Sequence, residues 1–401
     1  MFSFKGFQTQ DKNTHLEHLE DDIINRGAVG GENAVNFLKA VRNMLAGSDK
    51  GTNMTVKWDG APAIICGINP ENGKFFVGTK SVFNKTPKIN YTVSDINKNH
   101  GGVVADKLKV CLAQLSRLNI KGILQGDLLF TNDLKAITID GEKMISFTPN
   151  TITYAVPVNS GIGKQIARAK MGIVFHTQYN GKSMDNLSAS FGTVKGSSSR
   201  NVFLASAGYK STAVMFDKSE LSKFDAQIRM AEGSLRKAAP ILNLLSKNIS
   251  DELSVGYRLK TYFNYYIKNS NAGMDKVATM QKQFRDYYEN FINMEIDSRK
   301  TPKGKEKFIK AKKDNLQFID RNRTALYFAI ASHITLGVAK NTLLQKMSQI
   351  QSIGNFIRTS TGYRVTAPEG YVAVDNVAGA IKLVDRLEFS RQNFTMPKGW
   401  N

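Results

Sequence analysis

The chain has 401 residues, 41% of them apolar, and carries 55 Lys and Arg against 34 Asp and Glu, a formal net charge of +21. That composition excludes a disordered or fibrous chain, and at about 100–200 residues per domain it implies two or three domains. The two cysteines, Cys66 and Cys111, stand in no Cys-x-x-Cys spacing and are read as core thiols, which excludes a disulfide framework and a cysteine zinc site. No apolar run reaches the roughly eighteen residues of a membrane span, and "MFSFKGFQTQDKNTHLEHLEDD" lacks the basic start and apolar stretch of a secretory signal. A soluble, cytoplasmic protein with no membrane partner is expected.

From about Asn13 to Leu45 the apolar spacing predicts helix, with His15, His18 and Asp22 on one face. Such spacing suits a metal, but any amphipathic helix surface produces it. From Thr55 to about Phe216 short β-rich runs alternate with glycine turns: "TVKW", "AIICGI", "FFVGT", "GILQGDLLF", "AITID", "TITYAVPV" and "GIVFHTQY". One helical stretch, "VADKLKVCLAQLSRL", interrupts them. From Lys218 to about Ile350 helical periodicity dominates, and after Gly354 β texture returns in "GYRVTAPEGYVAVDNVAGAIKLVDRLEFS". The expected class is α+β, in four segments: residues 1–50 helical, 51–216 β-rich, 217–353 a helical basic block, and 354–401 β-rich again. The helical block therefore reads as an insertion between β segments.

The excess charge points to polyanionic partners, DNA or RNA. Much of it is local: Arg299 to Arg323 holds ten Lys or Arg against three acids. Lys307, Lys310, Lys312 and Lys313 are the candidate phosphate contacts; a solvated helix face is the alternative.

"KWDG", Lys57 to Gly60, ends one β-like run at a glycine turn. A lysine attacks phosphorus only as the neutral amine, so its pKa must fall from about 10.4 through burial or positive neighbours. Asp59 would share the side of Lys57 in an extended segment, where it orients the amine or a metal. The alternative is a surface lysine beside an Asp-Gly turn.

"KWDG" resembles the KxDG motif of the covalent nucleotidyltransferases: ATP-dependent DNA ligases, RNA ligases and mRNA capping enzymes. The resemblance implies an antiparallel-sheet core around a nucleotide cleft, with ATP and Mg2+ as cofactors and Lys57 taking a nucleoside monophosphate as a phosphoramide. Further matches follow in order. Lys80 in "VGTKSVF" is similar to the basic residue beside the sugar or phosphate, and "LQGDLLF" resembles the GEL element with Asp127 for glutamate. In "TITYAVPV", Tyr154 (or else Phe147) is the candidate to stack on the purine. Two segments compete for the metal-binding motif: "KMGIVFHT", where Met171 stands in the acid's place, and "PEGYVAV", which carries Glu369. Methionine cannot bind magnesium, so Glu369 is the expected metal residue. "AIKLVDR" then looks like the final lysine motif, with Lys382 towards the α-phosphate, Val384 at the second lysine and Arg386 as its replacement.

Gly60, Lys80, Asp127, Tyr154 and Arg386 are thus the expected nucleotide contacts, and Lys57, Asp59 and Lys382 the expected catalytic set. The implied activity is a polynucleotide ligase working through lysyl-AMP, monomer favoured. Pro62 replaces a ribose-contacting arginine. With Met171 and Val384, it favours the alternative of a non-catalytic nucleic-acid-binding protein of the same fold; an adenylyltransferase with another acceptor is a third reading. The opening "NTHLEHLEDDIINRG" and closing "KLVDRLEFSRQNF" also look like proteins of tailed phages.

Overall fold

A computed structural model describes residues 8–9, 18–47, 53–139, 141–191, 199–205, 215–269, 276–347, 354–359, 362–365, 370–375, 379–384 and 386. Strand β1 (Gln8–Thr9) precedes a 3-10 turn at Leu19–Asp21 and helix α1 (Asp22–Leu45). Helix α1 breaks at Gly27, whose φ of 65° suits glycine, and the Ala28 N–H freed there donates to Asn243 Oδ1 at 2.8 Å. The β-rich region follows: β2 (Asn53–Lys57), β3 (Ala63–Ile68), β4 (Phe75–Gly78), α2 (Val93–Asn99), α3 (Gly102–Leu115), β5 (Ile123–Phe130), β6 (Lys135–Ile139), β7 (Glu142–Phe147), β8 (Thr153–Pro157), α4 (Gly161–Arg168), β9 (Met171–Asn180), β10 (Ser188–Phe191) and β11 (Val202–Ala205). Then come α5 (Lys218–Ser246), α6 (Val255–Asn269), α7 (Val277–Asp297), α8 (Pro302–Arg321) and α9 (Arg323–Met347). Local chemistry starts these helices: Asp217 and Glu220 form a capping box on α5, and Thr301 caps α8 ahead of Pro302. The chain closes with β12 (Gly354–Thr359), β13 (Gly362–Val365), β14 (Gly370–Asp375) and β15 (Gly379–Val384).

The class is α+β, and the described residues form three sheets. The largest runs β1-β10-β9-β5-β3-β4, antiparallel along that path, with β11 added parallel to β9. The second runs β13-β12-β8-β7-β6, and the third β15-β14-β2. Alternation along the strands gives the large sheet two apolar faces. Ile64, Cys66, Leu124, Leu128 and Ile173 face a core with Leu108, Cys111 and Leu115 of α3, while Ile65, Phe76, Ile123 and Tyr179 build a core on the other face. Both cysteines are buried core thiols, and burial pushes the Cys111 thiol up to about 12.

Helix α1 shares one apolar core with α5, α6, α7 and α9, through Phe37, Leu38 and Val41 against Phe224, Leu242, Phe263, Phe284 and Leu336. The N-terminal helical segment and the helical block are therefore one body. Tyr371 and Leu383 of the third sheet also enter this core, whereas Val384 enters another with Trp58, Phe130, Phe147 and Tyr154. The small sheet thus lies between the helices and the β region. Among the described residues no helix is long and apolar enough to cross a membrane.

Candidate nucleotide site

Lys57 is the last residue of β2 and is half-buried. It pairs with Gly370 of β14, which pairs in turn with Val384 of β15. Two positions along, Thr55, Val372 and Lys382 form the next row on the same face. The row between, Val56, Tyr371 and Leu383, turns the other way, and Tyr371 and Leu383 are buried in the helical core. Positions 57 and 382 consequently share the face away from the helices, with their Cα atoms about 12 Å apart by strand spacing. Glu369, one residue before β14, lies outside the described residues.

The chain leaves β2 through Trp58, Asp59 and Gly60. Asp59 is 4% exposed. Its Oδ1 accepts from Asn150 Nδ2 at 2.7 Å, and its Oδ2 accepts from Thr151 N and Thr151 Oγ1 at 2.7 Å and from Ile152 N at 2.8 Å. Three donors on Oδ2 and one on Oδ1 make this carboxylate the clamp of the 150–152 loop. Tyr154 is enclosed as well. It is 2% exposed, its hydroxyl accepts from Asp59 N–H at 2.7 Å, and its ring packs on Trp58 and Phe147 with centroids at 4.9 and 5.3 Å. Phe147, the substitute, is equally buried.

Gly60 sits directly on β5. A Cβ there would come within 2.6 Å of Asp127 Cβ, and Ala61 N–H donates to Leu128 O at 2.9 Å. Ala63 pairs with Asp127, and Ile65 with Gly78, so Lys80, just beyond β4, falls at the same sheet end and is exposed. His176, on β9, places Nε2 at 3.5 Å from Asp127 Oδ2. Sequence reading missed His176, although "KMGIVFHT" contains it; its partner lies on another strand, so no local spacing marks the pair. Met171, in the same segment, is fully buried behind the sheet, a packing residue.

Arg386 departs furthest from expectation. It is 4% exposed, donates from Nη1 to Asp21 Oδ1 at 2.7 Å and from Nη2 to Asn264 Oδ1, and lies 3.8 Å from Glu20. Asp21 also meets His333 Nε2 at 3.0 Å, and Glu20 accepts from Lys340 Nζ at 2.6 Å. Burial opposes ionisation of both acids, but Lys340 and Arg386 overcome it for Glu20, bringing its pKa to about 2. Arg386 and His333 draw Asp21 below the ordinary carboxylate range. Arg386 is a buried tie between the end of β15 and the helices.

The expected phosphate-binding helix, α8, buries only Ile319. Lys307, Lys310 and Lys313 are exposed and share one side of it with Lys303. Lys312 turns to α7, donating to Asn293 Oδ1 at 2.8 Å with Glu289 at 3.6 Å. At the N-terminus Asp22 pairs with Arg26, and His15 lies outside the described residues. Among the described residues no group of three His, Cys, Asp or Glu is placed to hold a metal.

Residues 13–398 match the family model DUF6267, a family of unknown function. No curated protein and no solved structure matches the chain.

Proposed function

We propose that this chain, which belongs to the DUF6267 family, is an ATP-dependent covalent nucleotidyltransferase that forms lysyl-AMP on Lys57 and serves polynucleotide ligation. The observation that carries the reading is the third sheet. Three segments remote in sequence, ending at Lys57, beginning at Gly370 and containing Lys382, are neighbouring strands, and register puts both lysines on one face. Gly60 resting on Asp127 adds the sheet end that carries Lys80 and His176.

In this reading the Lys57 amine attacks the α-phosphorus of ATP, a nitrogen–phosphorus bond forms, and the bond to the pyrophosphate oxygen breaks. Lys382 and Lys80 supply positive charge where negative charge develops, which is the main protein contribution to phosphoryl transfer. Magnesium, when bound, neutralises the triphosphate, and Glu369 is the proposed carboxylate for it. A nucleic-acid 5′-phosphate then takes the AMP and a 3′-hydroxyl displaces it. The exposed lysines of α8 supply the grip on DNA or RNA.

Incubation with α-labelled ATP and magnesium should leave acid-labile label on the polypeptide. No label, from protein that binds nucleic acid, favours the second reading, a non-catalytic nucleic-acid-binding protein. The structural employment of Asp59, Tyr154 and Arg386 speaks for that rival.

A further inference from the structure

Among the described residues β15 is an edge strand of the third sheet, with Leu383 opposite Tyr371 and Lys382 opposite Val372 on β14. Side chains alternate with a period of two, so a slip of one residue along β14 would take Leu383 out of the helical core and turn Lys382 towards it. The apolar face excludes that. Slips of two residues keep the faces. One of them sets Asp385 in the place of Leu383 and is opposed by the same core. The other sets Ile381 there, an isomer of leucine, and brings Lys382 opposite Gly370, about 7 Å from its observed place and level with Lys57. On the apolar side Val384 opposes this second slip, through its place in the core that holds Trp58 and Phe147.

Arg386, two residues past the strand, opposes it by charge. Its Nη1 donates to Asp21 Oδ1 at 2.7 Å and its Nη2 to Asn264 Oδ1, so the guanidinium is held by the 3-10 turn and by α6 together. Apolar contacts are non-directional, whereas this planar fork fits one geometry. The slip would carry Arg386 away from Asp21 and Glu20, each 3% exposed, and leave two buried carboxylates short of one positive charge. Stripping a buried ion of its partner is among the costlier changes a fold can suffer, and specifying register is the best-attested use of such a group.

We infer that Arg386 is a positioning residue for Lys382: its buried bond to Asp21 sets the register of β15 on β14, and with it the place of Lys382 relative to Lys57. The catalytic half of the inference rests on the nucleotide reading above; the register half does not. Two cysteine pairs read the register. Val374→Cys with Ala380→Cys places the thiols directly opposite in the observed ladder, whereas Val372→Cys with Ala380→Cys does so only after the slip. The native Cys66 and Cys111 are buried. Under mild oxidant a disulfide needs Cα atoms within about 7 Å, closer than the diagonal of a ladder. With Arg386 present the first pair should close and the second stay open. Arg386→Met should let the second pair close and should lower the rate of labelling at saturating ATP about a hundredfold, the scale of a misplaced catalytic group. Arg386→Lys, which keeps the charge, should stay in register. Asp21→Asn together with Arg386→Met removes both charges and leaves no ion newly unpaired, so this double variant decides the matter if the single one does not fold. A second pair that stays open in the Met variants, or that closes with Arg386 present, overturns the inference. A slip in Arg386→Met, with no label on wild type, overturns the lysyl-AMP reading and leaves the register role standing; a slip with full labelling overturns the positioning of Lys382.

Discussion

Lys57 and Gly370 face each other across the β2–β14 ladder, and a Cβ on Gly370 would come within 2.8 Å of Val384 Cγ2 and run into the Leu383 carbonyl. The glycine therefore lets β14 lie close between the two lysine-bearing strands. Gly370→Ala removes no reactive group, yet it should cost about 1–3 kcal/mol through overpacking and lower nucleotide labelling. Denaturant titration and labelling, run on the same preparation, check both. Full stability with full labelling would mean that the close approach is not needed.

Lys57→Ala should abolish covalent labelling by α-labelled ATP while leaving a cooperative thermal transition, because truncation at a strand end removes the proposed nucleophile and leaves the ladder. Undiminished label in this variant would exclude Lys57 as the attachment site.

Asp59 and Tyr154 should behave as structural residues. Asp59→Ala strands buried donors of the 150–152 loop and should cost about 3 kcal/mol or more. Tyr154→Phe loses one hydrogen bond to Asp59 N–H and should cost about 1 kcal/mol while retaining ATP affinity. A large loss of ATP affinity in Tyr154→Phe, without loss of stability, would return the ring to the nucleotide.

The buried pair Glu20–Lys340 makes a pH-dependent contribution. The folded pKa of Glu20, about 2, lies below its ordinary value of 4.5, so its stabilisation is complete above pH 4.5 and is lost as the pH falls towards 2. Lys340→Met leaves a buried carboxylate with less compensation and should cost about 3–5 kcal/mol at pH 7. Since protonation relieves that carboxylate, the gap between wild type and variant should narrow between pH 7 and pH 3. Urea midpoints at the two pH values measure it, and a gap independent of pH contradicts the ionic role.

On α8, Lys307→Gln, Lys310→Gln and Lys313→Gln together should flatten the dependence of log binding constant on log salt by about 2.7, at 0.9 per duplex phosphate contact. Lys312→Gln, whose lysine is engaged by α7, should add little to that change. A salt titration on one labelled oligonucleotide separates this grip from a merely solvated face, which would leave the slope unaltered.

Sequence alone determined the α+β class, the block of helices between β segments, the buried thiols and the basic face of α8, because periodicity, turn residues and charge runs are local and act whatever the chain packs against. It also marked Lys57 and Lys382, through short motifs. What each polar side chain is used for was decided by partners far away along the chain. Asp59, expected to orient an amine or a metal, receives four donors from residues 150–152, Arg386, expected at the nucleotide, is held by Asp21 and Asn264 near Glu20, and His176 comes beside Asp127 through a bulge. A carboxylate or guanidinium has the same sequence signature in a core as in a cleft. Only the tertiary structure says which donors and acceptors it already holds, and so whether any capacity is left for a ligand.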